Sequence, residues 1–396
     1  MIYLYIAIIV FSPYLAFLPM IYSGFKVLQR GVIIVKNDWN FGLLFLFIWS
    51  LFVGIINMDG ISAVSSFAFL CYFFVSVYLQ NNWSSEEKVE KLFNIVIVTS
   101  LGSGFIGLLE RFTTLHNNPT WWKELFGIYP QVLFYERYRI SGTFGNPNVA
   151  GTWYAALILI CFYFFYNSKG FKKAYYGISM AIFVELLTFT SSRGAMIGLI
   201  LGMMAYAFFL GHKKNMTMLS ITLMFGVALM FIFPDWFPRG ANLINSIKDR
   251  MNIWINCLNL FKVKPFTGWG LLGIYFADGN IYQYTRTFHG HNIWITLATT
   301  LGVIGLGVFI YLECYIFDQL ILLSKNKCRL VPLLAGLQMI IIGQGLMDFT
   351  IMNPQGGIVF FGCSAIITSL ALQYSTVPVE EYSFILGKLK NKWHNS

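Results

Sequence analysis

Residues 148–166 read NVAGTWYAALILICFYFFY, nineteen residues without a single charge. A helix at the surface of a water-soluble protein needs a polar face, and this one would be apolar nearly all round. Its length is close to the roughly 20 residues needed to cross about 30 Å of hydrocarbon. The same pattern recurs on both sides of it. Apolar segments fall at 2–21, 40–56, 62–80, 92–110, 174–190, 194–210, 216–233, 292–317, 331–347 and 356–374, which with 148–166 makes eleven. Pro13 and Pro19 interrupt the first of them, and the short apolar run 31–35 can dip into the bilayer, so eleven or twelve spans are expected. Residues 1–21 have neither a basic start nor a small-residue cleavage site and read as a first span rather than a removed signal.

The composition of all 396 residues agrees: 57% are hydrophobic and 11% charged, where a soluble domain carries about 25% charged residues. With 39 Phe, 22 Tyr and 11 Trp, there is too little polar surface to cover the apolar side chains in water. A soluble enzyme, a nucleic-acid binder and a disordered chain are thereby excluded. The expected fold is an all-α polytopic membrane protein, a single integral membrane domain over 1–396. Of the six Cys, Cys71, Cys161, Cys314 and Cys363 lie in apolar segments, Cys328 in a basic loop and Cys257 in a long polar connection. That spacing gives neither a disulfide framework nor a CxxC metal site.

The net charge of +10 is distributed by side. Short loops carry Lys26, Arg30, Lys36, Lys88, Lys91, Lys169, Lys172, Lys173, Lys213, Lys214, Lys325, Lys327 and Arg329, and the tail adds Lys388, Lys390 and Lys392. The positive-inside rule places these in the cytoplasm, with the C-terminus. The opposite side holds two long connections, 111–147 and 234–291. There arginine predominates, as Arg111, Arg137, Arg139, Arg193, Arg239, Arg250 and Arg286. A guanidinium is a planar fork suited to bidentate phosphate or carboxylate contacts, so this face suits an anionic ligand or lipid headgroups. Within the second connection Ile244, Ile247, Met251, Trp254, Leu258 and Phe261 recur at steps of three and four, which predicts an amphipathic helix at the membrane surface. It ends before a Pro/Gly turn, Lys264-Pro265-Phe266-Thr267-Gly268-Trp269-Gly270.

Four places on the arginine-rich face have chemical potential. In the stretch 139–148, RISGTFGNPN, Asn146 can cap the next span with Pro147 in its first turn, while Arg139 and the glycines equally suit an anion site. Ser191-Ser192-Arg193-Gly194 sets an arginine in a tight turn between two spans, where it either snorkels to headgroups or holds a lipid-attached phosphate. Arg250 and Trp254 lie one turn apart on the amphipathic helix. His289-Gly290-His291-Asn292 puts two of the five histidines directly before a span, and a neutral imidazole can accept a proton from a hydroxyl. A zinc site there needs about three protein ligands, and the sequence spacing offers no third. The acids expected outside, Asp59, Glu124, Glu136, Asp235, Asp249, Asp278 and Asp348, are scattered without a DxD pair. Glu185 lies within a span and is expected to face the bundle interior, whereas Glu110 and Glu313 sit nearer span ends.

The order of these motifs resembles the O-antigen polymerase and O-antigen ligase superfamily. RxSGTFGNPN is followed by SRG between spans, then RMNIW, KPFTGWG, and His291-Asn292 with nine residues before Gly302 and Gly305. The resemblance covers about residues 139–305 by motif and the rest by topology. It implies a GT-C-like glycosyltransferase bundle of about 11–12 spans with a long external loop containing an amphipathic helix. It implies a donor glycan on undecaprenyl diphosphate or a similar isoprenoid diphosphate, used on the outer side of the cytoplasmic (inner) membrane with inversion and without a metal or other cofactor. His291 maps onto the essential histidine, and Arg193 and Arg250 onto the diphosphate-binding arginines. Arg139 and Arg286 are further candidates, and Asn148, Trp254, Gly268, Gly270, Asn292, Gly302 and Gly305 are motif positions near the substrate.

The resulting expectation is polymerisation of lipid-linked repeat units of a surface polysaccharide, since the chain carries no extra acceptor-binding domain. The partners are the lipid-linked donor, a glycan acceptor and membrane lipids, with a chain-length regulator as a further one. A ligase that moves finished glycan to lipid A core or protein is the alternative. A transporter for such glycans would need a charged path through the bundle and matched halves, and neither is evident.

Overall fold

The computed structural model describes residues 2–27, 32–113, 120–128, 139–233, 243–282, 286–374 and 381–383. Nearly all of this is helix, arranged as a polytopic membrane bundle. The order is α1 (Ile2–Phe11), α2 (Phe17–Val27), α3 (Asp38–Ile56), α4 (Gly60–Ser65), α5 (Phe67–Asn82), α6 (Glu86–Phe112), α7 (Trp121–Leu125), α8 (Pro147–Asn167), α9 (Gly170–Thr190), α10 (Arg193–Phe209), α11 (Lys213–Ile232), α12 (Leu243–Val263), α13 (Gly273–Phe276), α14 (Ile293–Lys325), α15 (Val331–Gln344) and α16 (Pro354–Ala371). Among the described residues six helical stretches are long and apolar enough to cross a membrane: 38–56, 60–82, 86–112, 147–167, 293–325 and 354–374. Helices α1, α10 and α15 are shorter apolar helices.

Two expectations at the N-terminus are corrected. The segment 2–21 is not one span: α1 stops at Phe11 and α2 begins at Phe17, because Pro13 has no amide hydrogen to continue the ladder. The apolar run at 31–35 does not form a membrane helix either. Its described part, Ile33–Val35, is a short strand paired antiparallel with Glu381–Ser383, as the β-branched sequence favours.

Helices α8 and α16 lie at the centre, buried along most of their length, with α9, α10 and α15 packed beside α8, and α5 beside α16. In lipid, where burial from water no longer drives helices together, close backbone approach and interhelical hydrogen bonds matter more. Gly202 of α10 meets the Gly336 carbonyl of α15, so any larger residue there would part the pair. Polar links cross the core, among them Asn40 Nδ2 to Gln80 Oε1 (2.8 Å), Gln80 Nε2 to Thr368 Oγ1 (2.9 Å) and Gln338 Nε2 to Ser364 Oγ (2.7 Å). Each such bond contributes about 0.6 kcal/mol on average in a membrane bundle.

Near its N-terminal end α14 is interrupted at Gly302, with φ 66° and ψ −173°. The KPFTGWG turn fills the break. Trp269 N donates to Thr299 O (3.1 Å), Gly270 N to Thr300 O (2.8 Å), and Val303 N to Pro265 O (2.8 Å). Trp49 Nε1 takes the Leu301 carbonyl (2.9 Å). Backbone groups freed by the glycine are thus satisfied again, which hydrocarbon surroundings demand. Gly268, Gly270 and Gly302 serve this joint, and Leu301 packs over Gly305. The amphipathic helix expected around 244–261 is α12, seated on α14, where Gly290 touches the Cys257 sulfur and Thr299 Oγ1 donates to Cys257 O (3.2 Å).

Glu185 departs from expectation. It is exposed on α9, whose buried face is Tyr176, Ser179, Phe183, Leu186, Leu187 and Thr190. It lies five residues before the C-terminal end of the helix, about 7.5 Å along the axis, within snorkelling reach of the interface. Glu110 is buried at the end of α6 and accepts the amides of Ser141 (2.9 Å) and Gly142 (2.7 Å), which anchors the 139–148 turn.

Candidate functional site

One end of the bundle gathers the end of α8 that carries Asn148, the C-terminus of α9, the turn into α10, the start of α14 and the α15–α16 connection. The short lysine-bearing loops at 169–173, 213–214 and 325–329 close the other ends of the same helices.

Asn292 caps α14, accepting Trp294 N (3.0 Å) and Ile295 N (3.1 Å), while its amide donates to Leu346 O (3.1 Å). Ile293 N donates to Gly345 O (2.7 Å). These bonds pin the histidine loop against the 345–353 connection. His291 sits at φ 46°, in the left-handed region that non-glycine residues rarely adopt. Strain of this kind persists where surrounding structure enforces it, typically at functional sites.

The loop and the connection meet at Asp348. His291 Nδ1 lies 2.8 Å and His289 Nε2 3.2 Å from Asp348 Oδ1, which also accepts Phe349 N at 2.8 Å. The other carboxylate oxygen accepts Asn148 Nδ2. Asn148 is held in turn by Arg139, whose Nη2 donates to Asn148 Oδ1 (2.7 Å) and whose Nε donates to Thr190 O (2.7 Å). Asp348 is buried, whereas the two imidazoles are 31% and 29% exposed. Burial opposes its ionisation, but the hydrogen bonds and charges of His289 and His291 outweigh that and hold the carboxyl well below the usual carboxylate range. An ionised Asp348 only accepts, so His291 carries its proton on Nδ1 and turns an Nε2 lone pair outward.

Of the residues singled out by sequence, the structure brings His291, Asn292, Asn148 and Arg139 into this one network. Arg139 spends two donors on Asn148 and Thr190, so it orients the carboxylate's partner. Arg193 opens α10 after the Ser192 cap, and the neighbouring Gly194 packs on Met347, next to Asp348. Arg250 contacts Ser246 on its own helix (Nη1 to Oγ, 3.1 Å). Its Nε and the Nε1 of Trp254, one turn on, are buried donors that meet no acceptor among the described residues. Arg286 stays within its loop, donating to Tyr275 O (3.1 Å) and lying 4.9 Å over the Tyr282 ring. The described contacts of Arg250 and Arg286 do not reach the histidines. Arg137, Arg239, Glu136 and Asp235 lie outside the described residues.

Sequence reasoning missed Asp348 as a site residue, treating it as one of several scattered acids. The absence of a third ligand beside the histidines is likewise corrected: His289, His291 and Asp348 offer three ligating atoms within 4.8 Å of one another. Separation hid it, since Asp348 is 57 residues from His291 and 200 from Asn148. The available signal was an acid in a short connection flanked by apolar helices, where a charge must be paired.

Comparison with known proteins agrees with this architecture. Residues 178–310 match the family model described as O-antigen ligase. The chain is 24% identical over 295 residues to the General O-oligosaccharyltransferase of Acinetobacter baylyi. That alignment covers 67% of this chain and 46% of the relative, so the chain spans about half the relative's length. The matched segment runs from α9 to α14 and contains the Arg193 turn, α12 and the histidine loop, and over it the chain is similar to the O-antigen ligase family.

Proposed function

We propose that this protein transfers a glycan from an isoprenoid-diphosphate carrier to an acceptor hydroxyl at the outer face of the cytoplasmic membrane, with the C-terminus inside. The observation that carries this reading is the His291 imidazole fixed by an ionised Asp348, with Nε2 directed away from the carboxylate. A sugar hydroxyl is a poor nucleophile, and a neutral imidazole can accept its proton. His291 Nε2 takes the hydroxyl proton as the oxygen bonds to the anomeric carbon. The bond from that carbon to the diphosphate oxygen breaks, its electron pair leaves with the diphosphate, and the anomeric configuration inverts. Asp348 keeps the imidazole in the required tautomer and balances the imidazolium that forms.

Arg193, at the turn beside Met347, and Arg250, whose buried Nε meets no acceptor among the described residues, hold the diphosphate and stabilise its growing charge. No metal ion is needed in this scheme, because guanidinium groups supply the positive charge. Asp348, Asn148 and Arg139 are positioning residues.

The acceptor defines the finer activity. Polymerisation adds lipid-linked repeat units to one another to build an O-antigen, capsule or exopolysaccharide. Ligation moves the glycan to another acceptor, and the names of the matched family and of the relative favour it. Purified protein incubated with lipid-linked repeat units alone decides between them: a ladder without added acceptor is polymerisation, and product only with lipid A core or protein is ligation. In either assay His291→Ala abolishes product while the protein still inserts; product at the wild-type rate refutes the proposal.

A further inference from the structure

The two imidazoles and the carboxylate are more than a base with its orienting acid. We infer that His289, His291 and Asp348 form a binding site for a divalent transition-metal ion of the zinc type, and that occupancy inhibits transfer. This rests in part on the reading of His291 as the base. The donor set is two imidazole nitrogens and one carboxylate oxygen, which suits zinc, cobalt, nickel or copper far better than magnesium or calcium. An ion about 2.1 Å from each donor needs the donors about 3.4 Å apart in tetrahedral geometry. The two nitrogens already lie 2.8 and 3.2 Å from Asp348 Oδ1, and all three atoms fall within 4.8 Å of one another. Small rotations of two partly exposed rings complete the geometry, and that exposure gives an ion access.

The carboxylate is oriented before any ion arrives, because Asn148 holds its second oxygen and Arg139 holds Asn148. Outer contacts of this kind are what tune metal sites. Three protein ligands leave a fourth position for water.

Inhibition follows from the tautomer. An ion on His291 Nδ1 displaces the proton that faces Asp348, and that proton is relayed through solvent to Nε2. The ring stays neutral with its single proton on Nε2, so the lone pair that would accept the hydroxyl proton is gone. The ion also engages Asp348, which no longer balances an imidazolium.

The test uses the full-length protein in detergent, stripped with a chelator and titrated with Co2+ as a visible probe. Expected are d–d absorbance bands that saturate at one Co2+ per chain and are displaced by Zn2+. His289→Ala weakens binding by at least ten-fold, and His289→Gln, which keeps a hydrogen-bond donor and most of the volume, does the same. In the transfer assay Zn2+ at site-saturating concentration suppresses product and chelator restores it. Each His289 variant, read against its own zinc-free rate, is at least ten-fold less sensitive. Absent bands, or bands unchanged in both variants, overturn the site and leave the base assignment standing. Bound metal with undiminished transfer overturns the inhibition and the Nε2 base assignment together. Transfer that requires added metal overturns the inhibitory role.

Discussion

Asp348→Asn changes almost no volume and removes the charge on which the network converges. In the wild type one carboxylate oxygen receives three N–H groups, at 2.8, 3.2 and 2.8 Å, and the other receives Asn148. The asparagine amide presents one oxygen and one NH2 group to four donors. If the oxygen keeps the histidines, the NH2 faces the Asn148 NH2. If the amide turns over, His291 Nδ1 meets a donor and its proton moves to Nε2. A hydrogen bond to a charged group contributes about 1.5–3 kcal/mol, and an unsatisfied buried donor costs about 1–3 kcal/mol, so the variant is destabilised by about 1–3 kcal/mol. The rate effect is larger, because a general base contributes about 10²–10⁴-fold and the wrong tautomer forfeits it. The assay is product formation from lipid-linked donor at saturating acceptor, with a thermal melt on the same sample. A loss of kcat by about 10²–10⁴ in protein still folded at the assay temperature is expected. A folded variant within three-fold of wild type would sink the claim that the carboxylate sets the tautomer of His291.

Other outcomes follow from the same geometry. Arg193→Lys keeps the charge and loses the fork, so KM for the lipid-linked donor should rise or kcat fall by about 10-fold or more; unaltered kinetics reduce Arg193 to a lipid anchor. Gly302→Ala places a side chain at φ 66° against the Phe266 carbonyl, so the melting temperature in detergent should drop, and an unchanged melt refutes the account of the helix break. The depressed pKa of Asp348 means that its stabilising effect is fully present above the unfolded carboxyl value of about 4 and is lost as pH falls through the lower folded value. The melting difference between wild type and Asp348→Asn should therefore shrink only below about pH 4, and a difference that vanishes near neutrality contradicts this. Asn148→Ala frees one carboxylate oxygen and one Arg139 donor, and should lower kcat more than it raises KM if Asn148 positions rather than binds.

The helical membrane class was legible because it depends on local composition: each span needs only its own residues to be apolar over sufficient length. The capping of α8 by Asn146 and Pro147 was legible for the same reason. The break in the first segment was only half visible, since the prolines mark where a helix can stop and packing decides that it does. Glu185 was misjudged because hydropathy gives depth and not azimuth, and the buried face of α9 is chosen by α8 and α6. The histidine loop and the Arg193 turn were found as motifs, yet their chemical meaning was incomplete without the acid beside them.

The sequence by itself determined that the chain lies in a bilayer, which face is rich in arginine, and which short stretches carry titratable or anion-binding groups. Tertiary structure alone decided that Asp348 lies between two histidines and an asparagine far from it in the chain. Hydropathy and capping are short-range properties written in neighbouring residues. The pairing of a carboxylate with its donors depends on how separate helices pack, and no local pattern records that.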